Sequence, residues 1–142
     1  MMINSFNNYL EDGKAKKKTP DPEEAKSLLE KSQNRLEYIK LKKITNKTAT
    51  FILEDAYEAI REAAQSLMSI KGFKPYSHEA TIAFIKDFYK LEFNKEYINK
   101  FDHFRKLRNN SVYKAVSVTK GDAESSLLFA KKFVKKVKSL QK

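Results

Sequence analysis

Residues Arg108, Asn109 and Tyr113 form the one group in this sequence whose types and spacing suggest a reactive site. On a helix of ~3.6 residues per turn, Arg108 lies within roughly 20° of Phe101 and Val112, in the middle of an apolar stripe. Asn109 and Tyr113 are four residues apart and share the adjoining face, so an amide and a phenol flank the guanidinium. Arginine presents a rigid fork of donors that fits carboxylate or phosphate, and it keeps its charge when buried. It therefore needs an anion. One source is a structural ion pair with an acid on a neighbouring helix, for which Asp55 is the first candidate and Glu58 the second. The other is a bound phosphate in a cleft or dimer seam lined by this helix face.

Other chemistry is sparse. The chain has no cysteine, which removes thiol catalysis, disulfides and cysteine-based metal sites, and fits a reducing compartment. With three glycines, at 13, 72 and 121, neither a P-loop nor a dinucleotide fingerprint can be built. His78 and His103 lack neighbouring ligands at helical spacing and are read as surface histidines, so no metal and no cofactor are expected. No apolar run approaches a membrane span or a signal peptide, and the expectation is a cytoplasmic protein with no membrane contact.

The balance of 29 Lys and Arg against 18 Asp and Glu gives a net charge of +11, which favours phosphate-rich partners without naming one. The final stretch KKFVKKVKSLQK holds six lysines and no acid, and reads first as a solvated helix face.

The elements that must position Arg108 are helices. Asp21-Pro22 with Glu24 marks a helix start, and Ala25, Leu28, Leu29, Ser32, Leu36 and Ile39 carry the pattern to about Lys43. After a break at Thr45-Asn46, Leu53, Ala56, Ile60, Ala63, Ala64 and Leu67 define a central helix that Gly72 stops. Ser77 caps a third, with Ile82, Ile85, Phe88 and Tyr89 inward and an end near Phe93. Asn94 caps a fourth, with Tyr97, Phe101, Phe104, Val112 and Ala115 inward. Thr119 and Asp122 open a fifth, packed through Leu127, Ala130, Phe133, Val134 and Val137. No strand competes. Residues 1–20 read as an extension, with Ile3, Phe6 and Leu10 on one helical turn joined to the body by the mobile basic linker DGKAKKKTPD. Residues 21–142 read as the domain: all-α, an up-and-down bundle of four to five antiparallel helices.

The helix EDAYEAIREAAQSLMSIKGFKPYSHEA, followed some forty residues later by LRNNSVY and preceded by DGKAKKKTPDPEEAKSLLEKSQNRLE, resembles the HEPN family of small helical-bundle proteins over nearly the whole chain. The family's motif is an arginine, often followed by asparagine, with a histidine a few residues on. Arg108 and Asn109 match; Tyr113 stands in the histidine's place, as in some branches of the family. The resemblance implies a homodimer whose two motifs share a cleft. It further implies metal-independent ribonuclease chemistry in active members, and a small nucleotidyltransferase-like partner protein.

Carried onto this chain, Arg108 would hold the scissile phosphate, Asn109 would orient it, and Tyr113 would handle protons. Arg105 and Lys114 would add contacts to RNA or nucleotide, and Asp55 or Glu58 would steady the fork from behind. A phenol, with a reference pKa near ~10, is a poor general base at neutral pH, where an imidazole near ~6.5 is well matched. The expectation is an RNA- or nucleotide-binding protein of a toxin-antitoxin-like pair, weak or inactive as a ribonuclease. The alternative is a non-catalytic helical protein-protein interaction module.

Overall fold

In the computed structural model, which describes residues 3–141, the chain runs α1 (Phe6–Glu11), β1 (Ala15–Lys17), α2 (Pro22–Lys40), α3 (Ala49–Lys71), β2 (Phe73–Pro75), α4 (His78–Phe88), α5 (Lys95–Lys114) and α6 (Lys120–Leu140). The helix starts follow from side-chain caps. Asp21 accepts from the Glu24 amide at 3.0 Å, Ser77 from Ala80 at 3.1 Å, Asn94 from Tyr97 at 3.1 Å and Thr119 from Asp122 at 3.0 Å. Each supplies an acceptor to an amide that has no partner within the first turn. Gly72 ends α3 at φ 85°, returning amide bonds to Met68 and Ser69.

The bundle is organised around α3, which is buried along most of its length and packs against α2, α4, α5, α6 and β2. Contacts at Asp21 to Ser69, Ser32 to Ala59 and Arg35 to Asp55 show α2 and α3 running antiparallel. The aromatic pairs Phe93–Phe133 and Tyr97–Phe129, with Lys136 on the Glu92 carbonyl, make α5 and α6 antiparallel as well. Phe101 and Phe133 meet edge-on at 5.4 Å in the middle of the core. The all-α helical bundle expected from the periodicity is the fold observed.

Several local expectations are corrected. The segment read as a mobile linker is β1, paired antiparallel with β2 through Ala15–Pro75, Lys16–Lys74 and Lys17–Phe73. It continues across the end of α3, where the Lys18 amide donates to the Gly72 carbonyl at 2.9 Å and Asp21 to Ser69 at 2.9 Å. A three-residue strand of one alanine and two lysines has no alternating apolar signal, so only its distant partner defines it. Two helices stop early: α2 at Lys40 rather than Lys43, and α4 at Phe88 rather than Phe93. The turn after Phe88 buries Phe93 and leaves Phe88 exposed. Val112 and Ala115, expected inward, face out, because the last turn of α5 passes beyond the core before Ala115 closes it in a left-handed cap at φ 52°.

Candidate functional site

On α5 the buried stripe runs through Phe101, Phe104 and Arg105, reaches the half-buried Arg108, and ends at Ser111. Ser111 donates its hydroxyl to Glu54 of α3 at 2.9 Å, which ties the end of α5 to the start of α3. Arg108 is therefore held against the bundle by the turns on either side of it. Its Nη1 donates to Asn109 Oδ1 at 3.3 Å, and its Cζ lies 5.8 Å from the centre of the Tyr113 ring. Arg108 thus meets both other residues singled out from sequence, with Tyr113 74% exposed at the outer edge. Lys114 is exposed beside it.

Neither carboxylate expected beside Arg108, Asp55 or Glu58, forms an ion pair with it. Asp55 is engaged by Arg35, whose Nη1 donates to its Oδ1 at 3.1 Å while Nε and Nη2 grip Glu62 at 3.0 and 2.9 Å. The reason lies in the faces of α3. Asp55 and Glu62, seven residues apart, share the side that meets α2, whereas Glu54, Tyr57, Glu58 and Arg61 share the side that meets α4 and α5. Glu58 does lie near Arg108 but bonds to Arg61, with Oε2 2.8 Å from Nη2 and 3.2 Å from Nε. Burial pushes the Glu58 carboxyl up. The Arg61 hydrogen bonds and the charges of Arg61, Arg108 and His78 more than offset this, leaving it below its ordinary range.

Arg105, read from sequence as a contact to RNA or nucleotide, is buried, and its Nε donates to Asp102 at 2.7 Å. It faces the core because it falls one turn before Arg108 on the same stripe. Of the four arginines in the chain, Arg35, Arg61 and Arg105 are each paired with a carboxylate. Arg108 alone has none within ion-pair distance among the described residues.

One residue that sequence reading placed on the surface belongs to this neighbourhood. His78, the first residue of α4, is half-buried and stacks on the Tyr57 ring at 5.5 Å and 18°, with Nδ1 2.9 Å from the Tyr57 hydroxyl. Burial, then the charges of Arg61 and Arg108, hold its imidazole below the ordinary histidine range. Nothing in the spacing around His78 signals this, since its partner lies 21 residues away on another helix. His103, by contrast, is exposed on α5 against Phe104.

A cavity of about 550 Å³ opens elsewhere, between α4 and α5. Two of its polar residues seat the N-terminal segment: Asp87 accepts from the Phe6 amide at 2.7 Å and Lys86 donates to the Ile3 carbonyl at 3.0 Å. Among the described residues no group of His, Cys, Asp or Glu could hold a metal ion, and no helix is long and apolar enough to cross a membrane.

The fold is a small helical bundle, and at the margin of its core lies an arginine with no carboxylate within ion-pair distance among the described residues, followed by asparagine and faced by an aromatic residue. The model of the HEPN domain matches residues 14–140, and the chain belongs to that family. No curated protein and no solved structure matches it.

Proposed function

We propose that this chain is a cytoplasmic RNA-binding HEPN protein in which two copies pair along α5 and the Arg108 of each grips an RNA phosphate in a shared cleft. The observation that carries the reading is that, among the described residues, Arg35, Arg61 and Arg105 are each paired with a carboxylate, whereas half-buried Arg108 has none and bonds only to Asn109. Desolvating a cation without a counter-charge is costly, and a phosphate diester matches the fork in charge and geometry. Asn109, already on Nη1, orients the guanidinium, and Lys114 adds charge at the mouth.

The apolar residues beside the site support the pairing. Phe51, Val112, Tyr113 and Val116 are 66%, 44%, 74% and 52% exposed, and the Ser111–Glu54 bond brings the α5 members next to the α3 turn that carries Phe51. A second copy would cover this face and set the two Arg108 side chains opposite each other. The same face favours the second reading, a protein-protein interaction module, but in that reading Arg108 has no partner.

Cleavage by this site is weak or absent, because a phenol stands where the family motif carries an imidazole, the group matched to proton transfer near neutral pH. A nucleotidyltransferase-like partner of a toxin-antitoxin-like pair belongs to the proposal on family membership alone. The test is affinity for single-stranded RNA, read together with sedimentation. Arg108→Ala should weaken binding more than any single Lys→Ala change among Lys131, Lys132, Lys135 and Lys138, and the parent should sediment as a dimer at micromolar concentration. Equal losses at every basic position, or a strict monomer, would favour a diffuse surface and the interaction-module reading.

A further inference from the structure

We infer that the outward face of the β1–β2 ribbon is a second contact surface for single-stranded RNA, on which a base stacks against Tyr76 while Lys14, Lys16 and Lys74 take the flanking phosphates. The inference takes its ligand class from the reading above but is carried by other residues, so the two can fail separately.

The register builds the face. Ala15 pairs with Pro75 and Lys16 with Lys74, and the Tyr76 amide donates to the Lys14 carbonyl at 2.7 Å, which carries the pairing one residue further. Side chains alternate along a strand, so Lys14, Lys16, Lys74 and Tyr76 share one face while Ala15, Phe73 and Pro75 share the other. Exposure follows the same division: Ala15 is buried, Phe73 and Pro75 are half-buried, and the three lysines and Tyr76 are exposed. The inner face is anchored in the core, where Phe73 meets Phe6 edge-on at 5.2 Å and Phe84 at 5.8 Å. The outer face is therefore held on a fixed support.

Its chemistry is not that of a ribbon built for stability. Lys16 and Lys74 stand directly opposite each other, where like charges destabilise a strand pair and a carboxylate would stabilise it. Among the described residues neither these two lysines nor Lys14 has a carboxylate within ion-pair distance, and Glu24 on α2 is taken by Lys18 at 2.7 Å and by the Ser69 hydroxyl. Tyr76 is 53% exposed, and the ammonium groups of Lys16 and Lys74 lie 5.9 and 5.7 Å from the centre of its ring. An exposed aromatic ring bordered by cations complements a single strand, since the ring stacks a base of any identity and the ammonium groups meet the phosphates beside it. An anionic membrane would use the same lysines, but the face offers no aliphatic side chain to insert, which favours the nucleic acid.

The experiment is a titration of a short, labelled, single-stranded RNA of mixed sequence with the full chain and with its Tyr76→Ala, Tyr76→Phe, Lys16→Gln/Lys74→Gln and Arg108→Ala variants, each confirmed as helical by circular dichroism. Tyr76→Ala should weaken binding about tenfold, the loss of one stacked base. Tyr76→Phe should stay within about twofold of the parent, because stacking needs the ring and not the hydroxyl. The double lysine variant should make the plot of log affinity against log salt shallower by about 1.4, two phosphates at ~0.7 each. If Tyr76→Ala binds like the parent while Arg108→Ala is weakened, the inference falls and the Arg108 reading stands. If the ribbon variants are weakened while Arg108→Ala is not, the Arg108 reading falls and the ribbon surface stands. Phenylalanine failing as badly as alanine would overturn the stacking role. Vesicles of mixed phosphatidylserine and phosphatidylcholine form a further arm: binding to them that depends on Tyr76, with RNA affinity unchanged in Tyr76→Ala, would assign the face to a lipid surface and overturn the inference. A readout that needs no variant to fold is photo-crosslinking of the parent to the same RNA carrying 5-bromouridine, mapped by mass spectrometry. The adduct should fall on Tyr76, and a map in which bound RNA leaves the ribbon unmarked would refute the assignment.

Discussion

Arg108 was legible in the sequence as a cation on an apolar stripe, because helical periodicity fixes a face whatever lies opposite it. What lies opposite was not legible. Asp55 looks available on its own helix, but α2 brings Arg35 against it, and one guanidinium fork holds both Asp55 and Glu62. His78 was missed for the same reason, since its meaning comes from Tyr57 across a helix-helix contact. Two predictions belong at this scale. Tyr113 is exposed, so Tyr113→His should leave the fold intact while providing a group able to move a proton near neutral pH. Metal-independent RNA cleavage in EDTA should rise by about 10²-fold, ending in 2′,3′-cyclic phosphate, and vanish again with Arg108→Ala. An unchanged rate in a folded variant that binds RNA would deny position 113 that role. The second concerns His78 and stability. Its folded pKa lies below the ordinary 6.5, so the unfolded chain binds the proton more readily. Stability is therefore complete above about pH 6.5 and declines as the pH falls toward the depressed folded value. Denaturant midpoints should drop across that window in the parent and stay flatter in His78→Gln, whereas the lowered carboxyls of Glu24 and Glu58 act only below their ordinary 4.5.

At the scale of elements, helix starts were read well because their signals are local: Asp21, Ser77, Asn94 and Thr119 cap where they were expected to. The β1–β2 ribbon and the early end of α4 were not, since both depend on residues far away in the chain. Gly72 joins the two kinds of information. Its left-handed φ was predictable from its place after the helix, but its crowding was not: a Cβ there would sit 2.6 Å from the Lys18 carbonyl oxygen and 3.1 Å from the Pro20 ring. Gly72→Ala should lower stability by at least about 2 kcal/mol, combining backbone strain with displacement of the strand that crosses α3. Ala115 presents the converse case, a left-handed cap occupied by a residue with a Cβ. Ala115→Gly should raise the denaturation midpoint, worth about 0.5–1 kcal/mol, by relieving strain at the end of the helix that carries the site. A lowered midpoint would mean that the methyl group packs more than it strains.

For the whole molecule, part of the basic balance read from composition is carried by exposed lysines on α6, where Lys131, Lys132, Lys135 and Lys138 face solvent, and Lys136 is spent on the Glu92 carbonyl and the Tyr97 ring. These residues lie on a different helix from Arg108, so two terms should separate in RNA binding. The lysines should set a steep salt dependence through counterion release, and Arg108 an affinity that persists as salt is raised. The central claim is that Arg108, which has no carboxylate partner among the described residues, takes its anion from RNA. With four arginines in the chain, a guanidinium 15Nε–1H spectrum reports it directly, and Arg35, Arg61 and Arg105 serve as internal references. On addition of single-stranded RNA the Arg108 Nε–H resonance should shift and exchange more slowly with water, while the three paired arginines stay where they are. An unmoved Arg108 signal under conditions where RNA is bound would contradict the account.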